Sequence, residues 1–223
     1  MSEFDAARQN MVESQVMTSG VTNPRVLDAM AEIPRERFVP ESKKSLAYLG
    51  DDLKVKDAAD GQAARYLMDP RALGKLVELA DVKASDLVLD IGPATGYSTA
   101  LLAKLSDTVV AVEEDAALVE QASAELQSLG VDNAAVIEGA LTEGSSKQGP
   151  FDVIFVNGAV SAVPEALLKQ LKDGGRLVTV VQVSSTGKAR IYTVNHGKVG
   201  YRDAFDAGIH VLPGFEAAET FTF

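Results

Sequence analysis

The stretch VLDIGPATGYSTALLA, Val88 to Ala103, opens as an apolar run, turns at Gly92 and Gly96, and continues into a helix-forming run. Four more short apolar, β-branched runs follow it: TVVAVE (108–113), AAVIEG (134–139), FDVIFVNG (151–158) and RLVTVVQV (176–183). Helical patterns separate them at 97–105, at 116–129 closed by Gly130, and at 164–171 closed by Gly174. Strands that are apolar throughout and alternate with helices predict a parallel sheet covered on both faces. ARIYTVN (189–195) and AAETFTF (217–223) alternate more cleanly, which predicts an antiparallel pair at one edge. The fold class is therefore α/β: doubly wound, mainly parallel, with seven strands.

Upstream of that core the pattern is helical. Phe4, Ala7, Met11 and Val12 fall near one face, and TNPRVLDAM offers Asn23 as N-cap with Pro24 at the first helical position. From PRERFVP to about Gly61 the chain is irregular; MDPRALGKLVELA then restarts a helix, with Asp69 as N-cap and Pro70 in the first turn. We expect residues 1–80 to form a helical extension and substrate-side segment, and residues 81–223 the core, in one compact domain.

Composition narrows the classes of function. The absence of cysteine among 223 residues excludes disulfides, zinc–thiolate sites and cysteine nucleophiles, and suits a reducing cytoplasm. A net charge of −11 disfavours nucleic acid and anionic membranes as partners. No apolar run approaches the roughly 18–20 residues of a membrane span, and the N-terminus reads as no secretory leader. No spacing of histidines and carboxylates suggests a metal.

In an open parallel sheet, ligands bind at the carboxyl ends of the strands. The turn at Gly92 and Gly96 lets the backbone approach a ligand, and the helix behind it points N–H groups at the same place. Glu113 closes the second strand 21 residues after Gly92, where an acid can accept hydrogen bonds from a ribose diol. A dinucleotide fingerprint needs G-x-G-x-x-G; GPATGY has glycine only at its first and fifth positions, and Pro93 removes an N–H. S-adenosylmethionine has no phosphate to cradle and suits such a loop better. The plainer alternative is a strand–helix turn with Glu113 capping helix 116–129.

The successive blocks VTNPRVLDAMAEIPRERFVP, LAYLGDDLKV, VLDIGPATGYSTALLAKL, VVAVEED and FDVIFVNGAVSAVPEALLKQLKDGGRLVTVV resemble, in order, those of protein-L-isoaspartate O-methyltransferases. The resemblance implies a seven-stranded methyltransferase fold with a reversed last strand. It also implies S-adenosylmethionine as cofactor and methyl transfer to isoaspartyl carboxylates of damaged protein. A carboxylate acceptor is ionised at neutral pH and needs no general base; His196 and His210 accordingly read as structural or surface residues. Cofactor positions implied are Asp90, Gly92, Ala94, Gly96, Glu113, Glu114, Gly139, Ala140, Leu141 and Asn157.

Three places depart from the family pattern. Its Gly-Gln-Thr-Ile-Ser-Gln-Pro block, which helps hold the acceptor carboxylate, is GQAARYLMDP here. Anchoring on Pro70 puts Tyr66, Met68 and Asp69 at the threonine, serine and glutamine; anchoring on Gly61-Gln62 puts Ala63 at the threonine and Arg65 at the serine. Either way the serine is missing, and Arg65 is the side chain suited to pair with the carboxylate instead. The central loop glycine is Ala94, and the acid that would meet the adenine amino group is Ala140. These changes predict weakened cofactor binding and weak or lost isoaspartyl activity dependent on Arg65. The partner is then a protein or peptide substrate, or a small carboxylate. The alternatives are a methyltransferase with another acceptor, or a non-catalytic relative that binds cofactor or protein.

Overall fold

The computed structural model describes residues 3–59, 62–183 and 186–217. The helices are α1 (Glu3–Met11), α2 (Pro24–Glu32), α3 (Pro70–Ala80), α4 (Tyr97–Leu105), α5 (Ala116–Ser128) and α6 (Glu165–Leu168). A separate antiparallel hairpin pairs β1 (Leu53–Lys56) with β2 (Arg65–Leu67). The main sheet contains β3 (Leu87–Ile91), β4 (Thr108–Glu113), β5 (Ala134–Glu138), β6 (Phe151–Val160), β7 (Leu171–Gln182), β8 (Gly187–Asn195) and β9 (Lys198–Ala207). Their order is β5-β4-β3-β6-β7-β8-β9; the first five are mutually parallel. No helix among the described residues is long and apolar enough to cross a membrane.

The apolar runs of β3, β4, β6 and β7 form parallel strands buried on both faces, and β5 closes the sheet as a partly covered edge. In β6, Val153 and Phe155 enter one apolar cluster while Ile154 and Val156 enter the other. The first cluster also takes Met11, Val16, Met30 and Phe38 from the N-terminal segment, so the extension covers one face of the sheet. Arg35 fastens it there. Fully buried, it donates to the carbonyls of Ala47 and Met68, each at 2.7 Å, and lies 5.0 Å over the Tyr97 ring. Both expected caps form: Asn23 accepts from the Arg25 N–H at 3.0 Å and Asp69 from the Arg71 N–H at 2.7 Å.

The C-terminal third differs from the sequence expectation in three ways. Helix α6 is a single turn, and β7 already starts at Leu171, with its register jumping between Phe151↔Leu171 and Val153↔Arg176. Gly174, at φ +80°, therefore serves an irregularity in a strand rather than the end of a helix. The partner of β8 is β9; most of AAETFTF lies outside the described residues, and Ala217 belongs to no strand. β9 showed no apolar alternation because its side chains are almost all exposed, at the open edge of the sheet. Its hairpin turns on His196 and Gly197, both with positive φ (+50° and +72°), which suits the twist of paired strands. The reversed strand is β8, between two antiparallel neighbours, so the last strand runs with the parallel five.

Candidate functional site

The carboxyl ends of β3, β4 and β6 meet at the turn after Ile91. Gly92 (φ +72°), Ala94 (φ +53°) and Gly96 (φ +97°) all take left-handed backbone there. Gly96 also brings the chain close to α5, where an added Cβ would stand 3.1 Å from that of Ala122. Asp90, fully buried, pins the start of α4 to the end of β3 by accepting from the hydroxyls of Ser98 (2.7 Å) and Thr99 (2.8 Å). Burial pushes its carboxyl up to about 7, against the lowering effect of those hydroxyls and with a smaller push from the Glu113 charge.

Glu113 is completely buried at the end of β4. Its Oε2 accepts from the Ala94 N–H at 3.0 Å, and its Oε1 from the N–H groups of Glu114 (3.0 Å) and Asp115 (3.3 Å). Arg65, 4% exposed on β2, grips both oxygens: Nη1 bonds Oε1 and Nη2 bonds Oε2 at 2.8 Å. Nη2 also donates to the Gly92 carbonyl at 3.2 Å. Arg65, expected to await an acceptor carboxylate, is thus engaged with the acid expected to hold a ribose. Glu113 is not the cap of α5. Asp115 is, accepting from the N–H groups of Ala117 (3.1 Å) and Leu118 (3.2 Å) while pairing with Lys56 of β1.

The structure gathers most of the other expected positions around this pair. The Asn157 amide donates to the Gly92 carbonyl at 3.3 Å, and its Oδ1 is buried with no partner among the described residues. Gly139 donates its N–H to the Glu113 carbonyl at 3.0 Å, which places Ala140, exposed, at the end of β5; Glu114 is exposed beside Glu113. The Leu141 side chain is buried in the second apolar cluster. Met68 is buried and lines the cavity beside Arg65, together with Tyr66. Asp69 does not line that cavity: its side chain caps α3 and pairs with Arg71.

Three side chains of the cavity carried no local sequence signal. Leu212 lies over the turn, so that a Cβ on Gly92 or Gly158 would come within 3.0 Å or 2.5 Å of it. Its segment is held by backbone bonds from the Ala159 N–H to the His210 carbonyl and from the Leu212 N–H to the Ala159 carbonyl, both 2.9 Å. His210 stacks on Tyr66, ring centroids 3.6 Å apart, with Nε2 3.6 Å from Asp52. Asp52 accepts from the Asp69 N–H at 2.7 Å, and burial raises its carboxyl above the ordinary value. His210 is therefore a cavity residue, whereas His196 is an exposed turn residue.

Residues 6–206 match the sequence profile of the protein-L-isoaspartate(D-aspartate) O-methyltransferase (PCMT) family. A protein-L-isoaspartate O-methyltransferase of Syntrophus aciditrophicus is 38% identical over 181 residues, covering 81% of this chain and 80% of the relative. Protein-L-isoaspartate O-methyltransferase 2 of Pelobacter propionicus is 36% identical over 206 residues, covering 92% and 89%. A solved protein-L-isoaspartate O-methyltransferase superposes with a TM-score of 0.81 at 26% identity, over 92% of this chain and 66% of its own. A Plasmodium falciparum structure described as a beta-aspartate methyltransferase, in complex with S-adenosyl-L-homocysteine, shares the fold at a TM-score of 0.77 and 21% identity, over 92% and 97%. With residues 6–206 matching the family profile and relatives 36–38% identical over most of both chains, the chain belongs to the protein-L-isoaspartate O-methyltransferase family.

Proposed function

We propose that this chain is an S-adenosylmethionine-dependent O-methyltransferase that methylates isoaspartyl carboxylates in protein. The observation that carries the reading is the buried Glu113 carboxylate, fixed by three backbone N–H groups against the Gly92–Gly96 turn. The donor set fits an adenosine: Glu113 is an acceptor for ribose hydroxyls, and the backbone at Ala140 and Leu141 can contact the base. The unpartnered Asn157 Oδ1 beside Gly92 is an acceptor for an amino group. The fit requires the Arg65 guanidinium and the Leu212 side chain to withdraw from the turn.

When bound, S-adenosylmethionine supplies an electrophilic methyl group on a sulfonium. The chain contributes position and dryness. Tyr66, Met68 and His210 wall the acceptor side of the cavity and exclude water from an incoming carboxylate. No side chain has to remove a proton, because the acceptor is already ionised at neutral pH. A repair role on damaged protein in a reducing cytoplasm agrees with the cysteine-free composition, and the net charge of −11 argues against nucleic acid as substrate. Calorimetric titration with S-adenosylhomocysteine, followed by methyl transfer to an isoaspartyl peptide and its aspartyl isomer, tests the reading. Binding with transfer to the isoaspartyl peptide alone is expected; a chain that binds no S-adenosylhomocysteine overturns it.

A further inference from the structure

Glu113 has more donors than a carboxylate comfortably takes. Three are backbone N–H groups and two are the arms of Arg65, against about four lone-pair sites. A ribose diol, with two hydroxyl donors, could replace the two Arg65 donors one for one but could not be added to them. The backbone donors belong to the turn after β3 and the start of α5, and they cannot leave without dismantling both. Arg65 can leave. It sits on a three-residue strand outside the main sheet that, among the described residues, pairs only with β1.

Where it goes is also constrained. Arg65 Nη2 and the Asn157 amide donate to the same Gly92 carbonyl, so the guanidinium stands at the wall of the cavity that Tyr66, Met68 and His210 share. Among the described residues lining that cavity, Arg65 is the only lysine or arginine, and Asp52 adds an acid. An anionic acceptor entering there meets repulsion from Asp52 until Arg65 is released toward it.

We infer, resting on the proposed function, that Arg65 exchanges partners. Ribose hydroxyls displace its guanidinium from Glu113, and the freed guanidinium then binds the acceptor carboxylate. Cofactor binding thereby completes the acceptor site, and the two ligands help each other to bind by the same factor. Arg65 is then both a competitor of the cofactor and the residue that recognises the acceptor.

The test titrates wild type, Arg65→Met and Arg65→Lys with S-adenosylhomocysteine, and titrates an isoaspartyl peptide with and without saturating S-adenosylhomocysteine. Thermal melts report whether each variant folds. Arg65→Met should bind S-adenosylhomocysteine at least about tenfold tighter than wild type, since nothing competes for Glu113. Wild type should bind the peptide at least about tenfold tighter once S-adenosylhomocysteine is present, and Arg65→Met should lose that gain. Arg65→Lys keeps the charge with a weaker grip and should fall between; it decides the question if the methionine variant does not fold. Unchanged or weaker S-adenosylhomocysteine binding in a folded variant overturns the exchange and leaves the methyltransferase reading intact. Tighter cofactor binding with peptide affinity indifferent to Arg65 overturns the acceptor role. If none of the three proteins binds S-adenosylhomocysteine, the methyltransferase reading itself fails.

Discussion

Ala94 carries a side chain in left-handed backbone, at φ +53°, where a Cβ crowds its own carbonyl. Ala94→Gly should therefore stabilise the fold by about 1 kcal/mol in chemical denaturation, with the Glu113 contact kept, because that contact uses only the backbone N–H. No gain would mean that the turn relaxes around alanine at no cost. Asp90 gives a second prediction, about pH. Its folded carboxyl, near 7, lies above an unfolded value of about 4, so the folded chain holds a proton that the unfolded chain releases in between. The stability it contributes is full below that window and is lost as pH rises through it, by at most about 1.4 kcal/mol per pH unit. Asp90→Asn, which cannot ionise, should thus gain on wild type in denaturation free energy from about pH 4 to about pH 8; a constant difference would contradict this. At this scale the sequence was legible where a residue acts on its neighbours, as Asn23 and Asp69 do as caps. It marked Arg65 and Glu113 singly but was silent on their pairing, since they are 48 residues apart and meet only through the fold.

Among the elements, β3, β4, β6 and β7 were legible because each buries residues on both faces, which writes an apolar run into the chain, while β5, at the sheet edge, is only partly covered and was legible from its β-branched run. β9 was not: an edge strand facing water needs no such pattern, and its charges pair across to β8 instead, Arg190 with Asp203 and Lys188 with Asp206. The β1–β2 hairpin was illegible for a different reason, being too short for a period to show. Its two strands each send a cation to the end of β4, Lys56 to Asp115 and Arg65 to Glu113. Lys56 is the more exposed of the two, so Lys56→Met should cost less than about 1 kcal/mol of stability while loosening the hairpin. Amide exchange in β1 and β2 should quicken and that of α5 should not, because Asp115 keeps its bonds to Ala117 and Leu118. Equal acceleration in both elements would show that the pair holds the helix rather than the hairpin.

For the whole molecule, the expected division at residue 80 marks a change of pattern. The apolar cluster under the sheet runs from Met11 to Ala207 without regard to it. The helical extension is a layer of the same core, and Arg35 binds it to the chain just before α3. What no local pattern could announce is the path of the chain after β9. It returns across the carboxyl ends of the strands and lays Leu212 on Gly92 and Gly158, secured at Ala159 and by a bond from the Ser161 N–H to the Phe215 carbonyl at 2.9 Å. That return segment has a consequence in time. A ligand bound for the turn cannot arrive faster than the segment lifts, however concentrated the ligand is. Mixed rapidly with rising S-adenosylhomocysteine, with the tyrosine fluorescence of Tyr66 as signal, the chain should show an association rate that climbs and then levels off at the opening rate. In Leu212→Ala that plateau should move upward. A rate that keeps rising in proportion to ligand in the wild type would mean that the door stands open.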